Sequence, residues 1–200
     1  MKNIFAALYI VSTIALTACT FTKTTTNWTK TDTKVFVQKL SKILVVALLN
    51  NKDNSRKAED QMVALLDGKG IALYNYVSVN NATKHTDSLM EMLKKDGFDG
   101  AITMRLIEAN TPEYMSSYAA YDRTFSGYSY QIWPQYFNGR YYASTKTSAV
   151  ETSVYSIKAD KIMWTGLAQA TFNVGGKLMT KNIVKAVYKE MIQQGFISSP

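Results

Sequence analysis

The chain predicts an α/β (α+β) domain: a mixed sheet of about five strands with three helices, arranged in two or three layers. Three observations carry this. Lys42 to Leu49 is an unbroken apolar run of the kind that forms a strand buried on both faces. Two segments with apolar residues at helical spacing follow it and alternate with further strand-like runs. The order strand, helix, strand, helix, strand implies parallel pairing through crossover helices. Near the carboxyl end, two extended segments are joined by Lys158-Ala159-Asp160, which reads as an antiparallel hairpin and makes the sheet mixed.

The elements follow in order. Asn50 to Ser55 is a polar loop rich in helix-capping side chains; from Arg56 the apolar positions Ala58, Met62, Leu65 and Leu66 share one helical face, closed by Gly68 and Gly70. Glu59 and Asp60 fall with Arg56 and Lys57 on the polar face, where ion pairing accounts for them. Ile71 to Val79, rich in β-branched and aromatic residues, is expected to be the second strand, ended by Asn80-Asn81. Residues 84 to 96 form the next helix, with Leu89, Met92 and Leu93 inward. After a turn at Asp96 to Gly100, Ile102, Met104 and Leu106 alternate with Thr103 and Arg105, the period of a third strand. The hairpin strands are Thr147 to Ile157 and Lys161 to Phe172, with Ile162, Trp164, Gly166, Ala168 and Ala170 on one face of the second. A final helix turns Ile183, Val184, Val187 and Met191 inward and stops at Gly195. The domain so defined spans residues 40–197, and a hydrophobic content of 46% supplies its core.

The amino terminus has a different character. Met1-Lys2-Asn3 carries one positive charge, an apolar run extends from Ile4 to Ala18, and Cys19 is the only cysteine. A charged start, an apolar stretch and small residues at the junction compose a secretory signal peptide over residues 1–18. The run is shorter than the roughly 20 residues of a membrane-spanning helix. Leu16-Thr17-Ala18-Cys19 resembles the lipobox of bacterial lipoproteins. That resemblance implies cleavage before Cys19, a diacylglyceryl group on its thiol, and fatty acylation, such as by palmitate, of the new amino terminus. At about 0.8 kcal/mol per buried methylene, one acyl chain binds a membrane reversibly and two or three hold durably. The only thiol is then committed to lipid, leaving none for a disulfide.

Residues 19–39 comprise this cysteine and a tether: eight of the fourteen residues from 20 to 33 are threonine, with little to bury. Such a tether spans on the order of 25 Å root-mean-square when flexible and at most about 70 Å when straight. Trp28 is either an interfacial anchor or a ring that packs on the domain. No acidic cluster follows Cys19, and the resemblance then favours an outer-membrane anchor on the periplasmic face. With 23 basic and 15 acidic side chains the chain suits anionic lipid or glycan. No helix-turn-helix or aromatic RNA-binding motif is present, so no nucleic acid partner is expected.

The run Lys42 to Leu49, the loop Asn50-Asn51-Lys52-Asp53-Asn54-Ser55-Arg56 and Asp99-Gly100-Ala101 entering the third strand resemble the periplasmic domains related to anticodon-binding folds. These include the amino-terminal domain of the Tol translocation protein, the curli secretion lipoprotein and lipoprotein activators of penicillin-binding proteins. The resemblance transfers no functional residue.

The segment 110–145 departs most from an ordinary domain. It holds Tyr114, Tyr118, Tyr121, Tyr128, Tyr130, Tyr136, Tyr141 and Tyr142, eight of thirteen tyrosines, together with Trp133. Such rings suit partner contacts or sugar stacking, and equally the folding of an insertion onto the sheet. The alternation from Tyr128 to Trp133 is too short for a membrane strand of roughly ten residues. Lys177, Lys181, Lys185 and Lys189 form a basic stripe on the last helix, suited to anionic headgroups or to plain solvation. His85 is the only histidine and lacks a metal-ligand companion. No metal, cofactor or enzymatic constellation is expected. The sequence therefore predicts a non-catalytic outer-membrane lipoprotein, a binding, assembly or regulatory module acting on an envelope protein or peptidoglycan. The alternatives are a subunit of an oligomeric secretion channel and a peptidoglycan- or glycan-binding lipoprotein.

Overall fold

A computed structural model describes residues 40–80, 86–108, 124–138, 148–170 and 178–195. Ten elements follow one another: β1 (Ile43–Leu48), α1 (Lys52–Leu65), β2 (Gly70–Ala72), α2 (Leu73–Asn80), α3 (Thr86–Lys95), β3 (Gly100–Glu108), α4 (Phe125–Phe137), β4 (Ser148–Ser156), β5 (Lys161–Gln169) and α5 (Thr180–Gln193). The five strands form one mixed sheet in the order β2-β1-β3-β4-β5. β1 is parallel to β2 and β3, whereas β4 pairs antiparallel with β3 and β5. The expected signal peptide over residues 1–18, Cys19, the expected tether, Trp28 and His85 lie outside the described residues.

β1 occupies the middle of the core, and all six of its residues are buried. Ile43, Val45 and Ala47 meet Ala58 and Met62 of α1 and Ile183, Val184, Val187 and Met191 of α5. Leu44, Val46 and Leu48 meet Leu73 and Tyr76 of α2, Leu89 and Leu93 of α3, and Phe125 and Tyr128 of α4. Helices thus cover both faces, which explains why β1 reads as a continuous apolar run. The carboxylate of Asp99 clasps the entry to β1: it accepts from the backbone N–H groups of Ser41 (2.8 Å) and Lys42 (2.9 Å) and from the Ser41 hydroxyl (2.6 Å).

Several expectations need correction. The second strand ends at Ala72, and Leu73 to Asn80 is helical. Leu73, Tyr76 and Val77 lie at positions i, i+3 and i+4, so a helix puts all three against the core, and packing overrides the β-propensity of the segment. α1 starts at Lys52, before Arg56, because the Asn51 side chain accepts from the N–H of Asn54 at 2.8 Å and caps it. The described residues contain five helices against the three expected. In the hairpin, a register shift after Val154 pairs Tyr155 with Ile162. Ile162 consequently packs on the Tyr155 face, apart from Trp164 and Ala168 on the other.

Met62 is fully buried between the sheet and α5, whereas Tyr130 is 68% exposed. Met62→Ala is expected to lower stability by about 2–5 kcal/mol, and Tyr130→Ala by less than about 1 kcal/mol. Urea denaturation followed by circular dichroism measures both.

Candidate functional site

The tyrosine-rich segment contributes α4, fastened at both ends. At its start Thr124 accepts from the N–H of Gly127 at 3.1 Å, and Asp160 in the β4–β5 turn accepts from the N–H of Ser126 at 2.9 Å and from the Ser126 hydroxyl. A carboxylate at a helix amino terminus is favoured by the helix dipole. Asp160 has the left-handed backbone angle φ 47°, which a short polar residue tolerates and a β-branched one would not. At the other end the Tyr136 hydroxyl donates to the Glu59 carboxyl at 3.4 Å.

Within α4 the rings divide. Phe125 and Tyr128 are in the core, with ring centroids 5.6 and 5.7 Å from that of Tyr155. Burial pushes the Tyr128 and Tyr155 hydroxyls well above the ordinary phenol range. Tyr128 therefore serves the core and presents no free surface ring, contrary to the expectation that it contacts a partner. Tyr130 points outward and is the exposed large apolar side chain among the described residues. Trp133 belongs to the same helix, and Tyr136 is half-buried. Tyr114, Tyr118, Tyr121, Tyr141, Tyr142 and Lys177 lie outside the described residues, while Lys181, Lys185 and Lys189 are exposed along α5.

Glu59 was expected on a polar, ion-paired face, and its side chain is instead fully buried. The cause is the shortness of β2. Ile43 donates its N–H toward the β2 side, to the carbonyl of Lys69, and along a strand alternate residues share that direction. The ladder stops at Val45 opposite Ala72, so the N–H groups of Ala47 and Leu49 have no strand beside them. Two side chains of α1 replace it: Glu59 accepts from Ala47 and Ser55 from Leu49, each at 2.9 Å. The other Glu59 oxygen faces the N–H of Tyr74 and the hydroxyl of Tyr136, both at 3.4 Å. One carboxyl thus joins β1, the start of α2 and the end of α4.

Beside this junction lies a half-open cleft of about 230 Å³. Lys52 and Arg56 of α1 form one wall, Tyr74 and Val77 of α2 a second, and Tyr136 and Phe137 of α4 a third. The Arg56 guanidinium sits 4.9 Å from the centre of the Tyr74 ring, whose hydroxyl donates to Asp60 at 2.5 Å. On the α4 side of the sheet, Arg105 and Glu151 form an ion pair of 2.9 Å across β3 and β4. Among the described residues no helix is long and apolar enough to cross a membrane.

Desolvation on burial raises the Glu59 carboxyl from its ordinary 4.5 to about 8, against the lowering effect of its hydrogen bonds. Between those values the folded protein holds a proton that the unfolded chain has lost. Stability therefore falls as pH rises from about 4.5 through about 8, by up to about 1.4 kcal/mol per pH unit from this group. Glu59→Gln, neutral at every pH, is expected to flatten that slope. Urea melts at pH 5 and pH 8 measure it, and an unchanged slope would assign the dependence to another group.

No family model matches the chain, and no curated protein matches it. Among solved structures it is similar to lipoprotein GNA1162 from Neisseria meningitidis, at 14% identity and a TM-score of 0.38 over 76% of this chain and 99% of that one. It is also similar to PelC from Paraburkholderia phytofirmans, crystallised as a dodecamer, at 6% identity and a TM-score of 0.37 over 80% of this chain and 89% of that one.

Proposed function

We propose that the chain is a non-catalytic, lipid-anchored binding module of the bacterial envelope. Cys19 holds it to the outer membrane on the periplasmic face, and the tyrosine-rich segment contacts an envelope protein or peptidoglycan. The observation that carries the binding role is the division of rings in α4. Phe125 and Tyr128 fasten the helix to the core, and Tyr130 is left 68% exposed. Large exposed aromatic rings on a rigid support are favoured contact residues. Pro134 lies inside the same helix and supplies no N–H to the Tyr130 carbonyl.

The anchor is supported by the sequence Leu16-Thr17-Ala18-Cys19 and by the threonine-rich stretch behind it. Cys19→Ala is expected to move the protein from the membrane fraction to the soluble fraction; retention in the membrane would defeat the lipid-anchor reading. A photocrosslinking residue at position 130 in native envelopes is expected to capture one main partner, while the same residue at position 185 on the exposed face of α5 captures little. Equal capture at both positions, or none at 130, would remove α4 as the contact surface.

A further inference from the structure

The cleft between α1, α2 and α4 brings two features together, which already meet where Arg56 lies over the Tyr74 ring. One wall carries two cations. Lys52 and Arg56 are exposed, one helical turn apart, and neither has an acidic partner within ion-pair distance among the described residues. The opposing walls carry the Tyr74, Tyr136 and Phe137 rings. Cations alone would suit any anion, and rings alone would suit any apolar group. A ligand that uses both has an anionic group attached to a ring-shaped body with polar substituents.

Position narrows the class further. Lys52 and Arg56 follow the carboxyl end of β1, the end of a strand at which open α/β sheets receive ligands. The chain enters β1 from its other end, at the Asp99 clasp. An occupant therefore enters at the end of the sheet opposite Leu40, and the ring-bearing walls favour a sugar over a headgroup without a ring. Burial favours the neutral form of the Glu59 carboxyl beside the cleft, which reduces its repulsion of an anion, and the Asp60 carboxylate accepts from the Tyr74 hydroxyl.

We propose that this cleft binds a carboxylated sugar of an acidic glycan, its pyranose ring against Tyr136 and Phe137 and its carboxylate between Lys52 and Arg56. The proposal rests on the reading of the chain as a binding module and names the chemistry that the module recognises. Binding by the full-length protein in mild detergent is measured calorimetrically with tetragalacturonate, an uncharged glucose tetramer, tetraglutamate and phosphatidylglycerol vesicles.

Tetragalacturonate is expected to bind, and to bind at least about tenfold more tightly than the uncharged tetramer. The double variant Lys52→Gln/Arg56→Gln is expected to weaken it about tenfold or more. Both side chains are exposed, so the thermal melt moves only by the few degrees that the Arg56–Tyr74 contact is worth. Lys181→Gln/Lys185→Gln removes the same charge from α5 and is expected to leave the affinity unchanged. No binding of tetragalacturonate, equal binding of the uncharged tetramer, equal weakening by the α5 pair, or tighter binding of tetraglutamate or vesicles would each overturn the proposal. Failure here leaves the membrane-release result for Cys19→Ala intact, so the two readings fail separately.

Discussion

The backbone N–H of Ala47 needs an acceptor, and much of the molecule is arranged around supplying one. It lies on the core strand β1, away from water, beyond the point at which β2 stops. An unmatched donor there would cost on the order of 1–3 kcal/mol. The Glu59 carboxyl supplies the acceptor, and its second oxygen then has to be satisfied as well. Tyr74 and Tyr136 meet that need, drawing the start of α2 and the end of α4 to the same point. A sheet three residues short on one edge thus determines where two helices on its other face terminate.

The same economy appears at the start of α4. Its capping carboxylate comes from Asp160, 34 residues later, in the tight turn of the hairpin. Thr124 caps the helix locally, and the Asp160 carboxylate joins it only after β4 has formed and turned. Sheet and helix are therefore tied together across the carboxyl-terminal half. Long-range closures of this kind slow folding and make it cooperative.

Much of this was legible in the chain. β1 and β3 announce themselves by their apolar residues, the β4–β5 hairpin by its turn, though its register shift was not legible, and the expected inward residues of α5 are all buried. α2 and α4 were harder to read. Leu73, Tyr76 and Val77 fit a helix, yet the β-branched and aromatic content of Ile71 to Val79 fits a strand, and only the face that α2 covers decides between them. In α4 the alternation of Tyr128, Tyr130 and Ile132 competes with the helical spacing of Phe125, Tyr128 and Tyr136, and Pro134 argues against a helix that nonetheless forms. Glu59 was obscured by its charge. Ser55, Ala58, Glu59, Met62 and Leu66 fall within one helical arc, so its position already pointed inward, and the unmet donor it serves is a property of the sheet. The cleft combines residues from three separated segments, and no local pattern marks it.

The Asp99 clasp has a mechanical consequence. Any tension on the segment before Leu40 enters the domain at Ser41 and Lys42, where Asp99 grips the backbone, and passes directly into β1. β1 is flanked by β2 and β3 along parallel ladders, so a pull along its axis loads many hydrogen bonds at once in shear. A strand at the edge of the sheet would instead peel away one bond at a time. The chain thus meets an external load at the strand best placed to resist it.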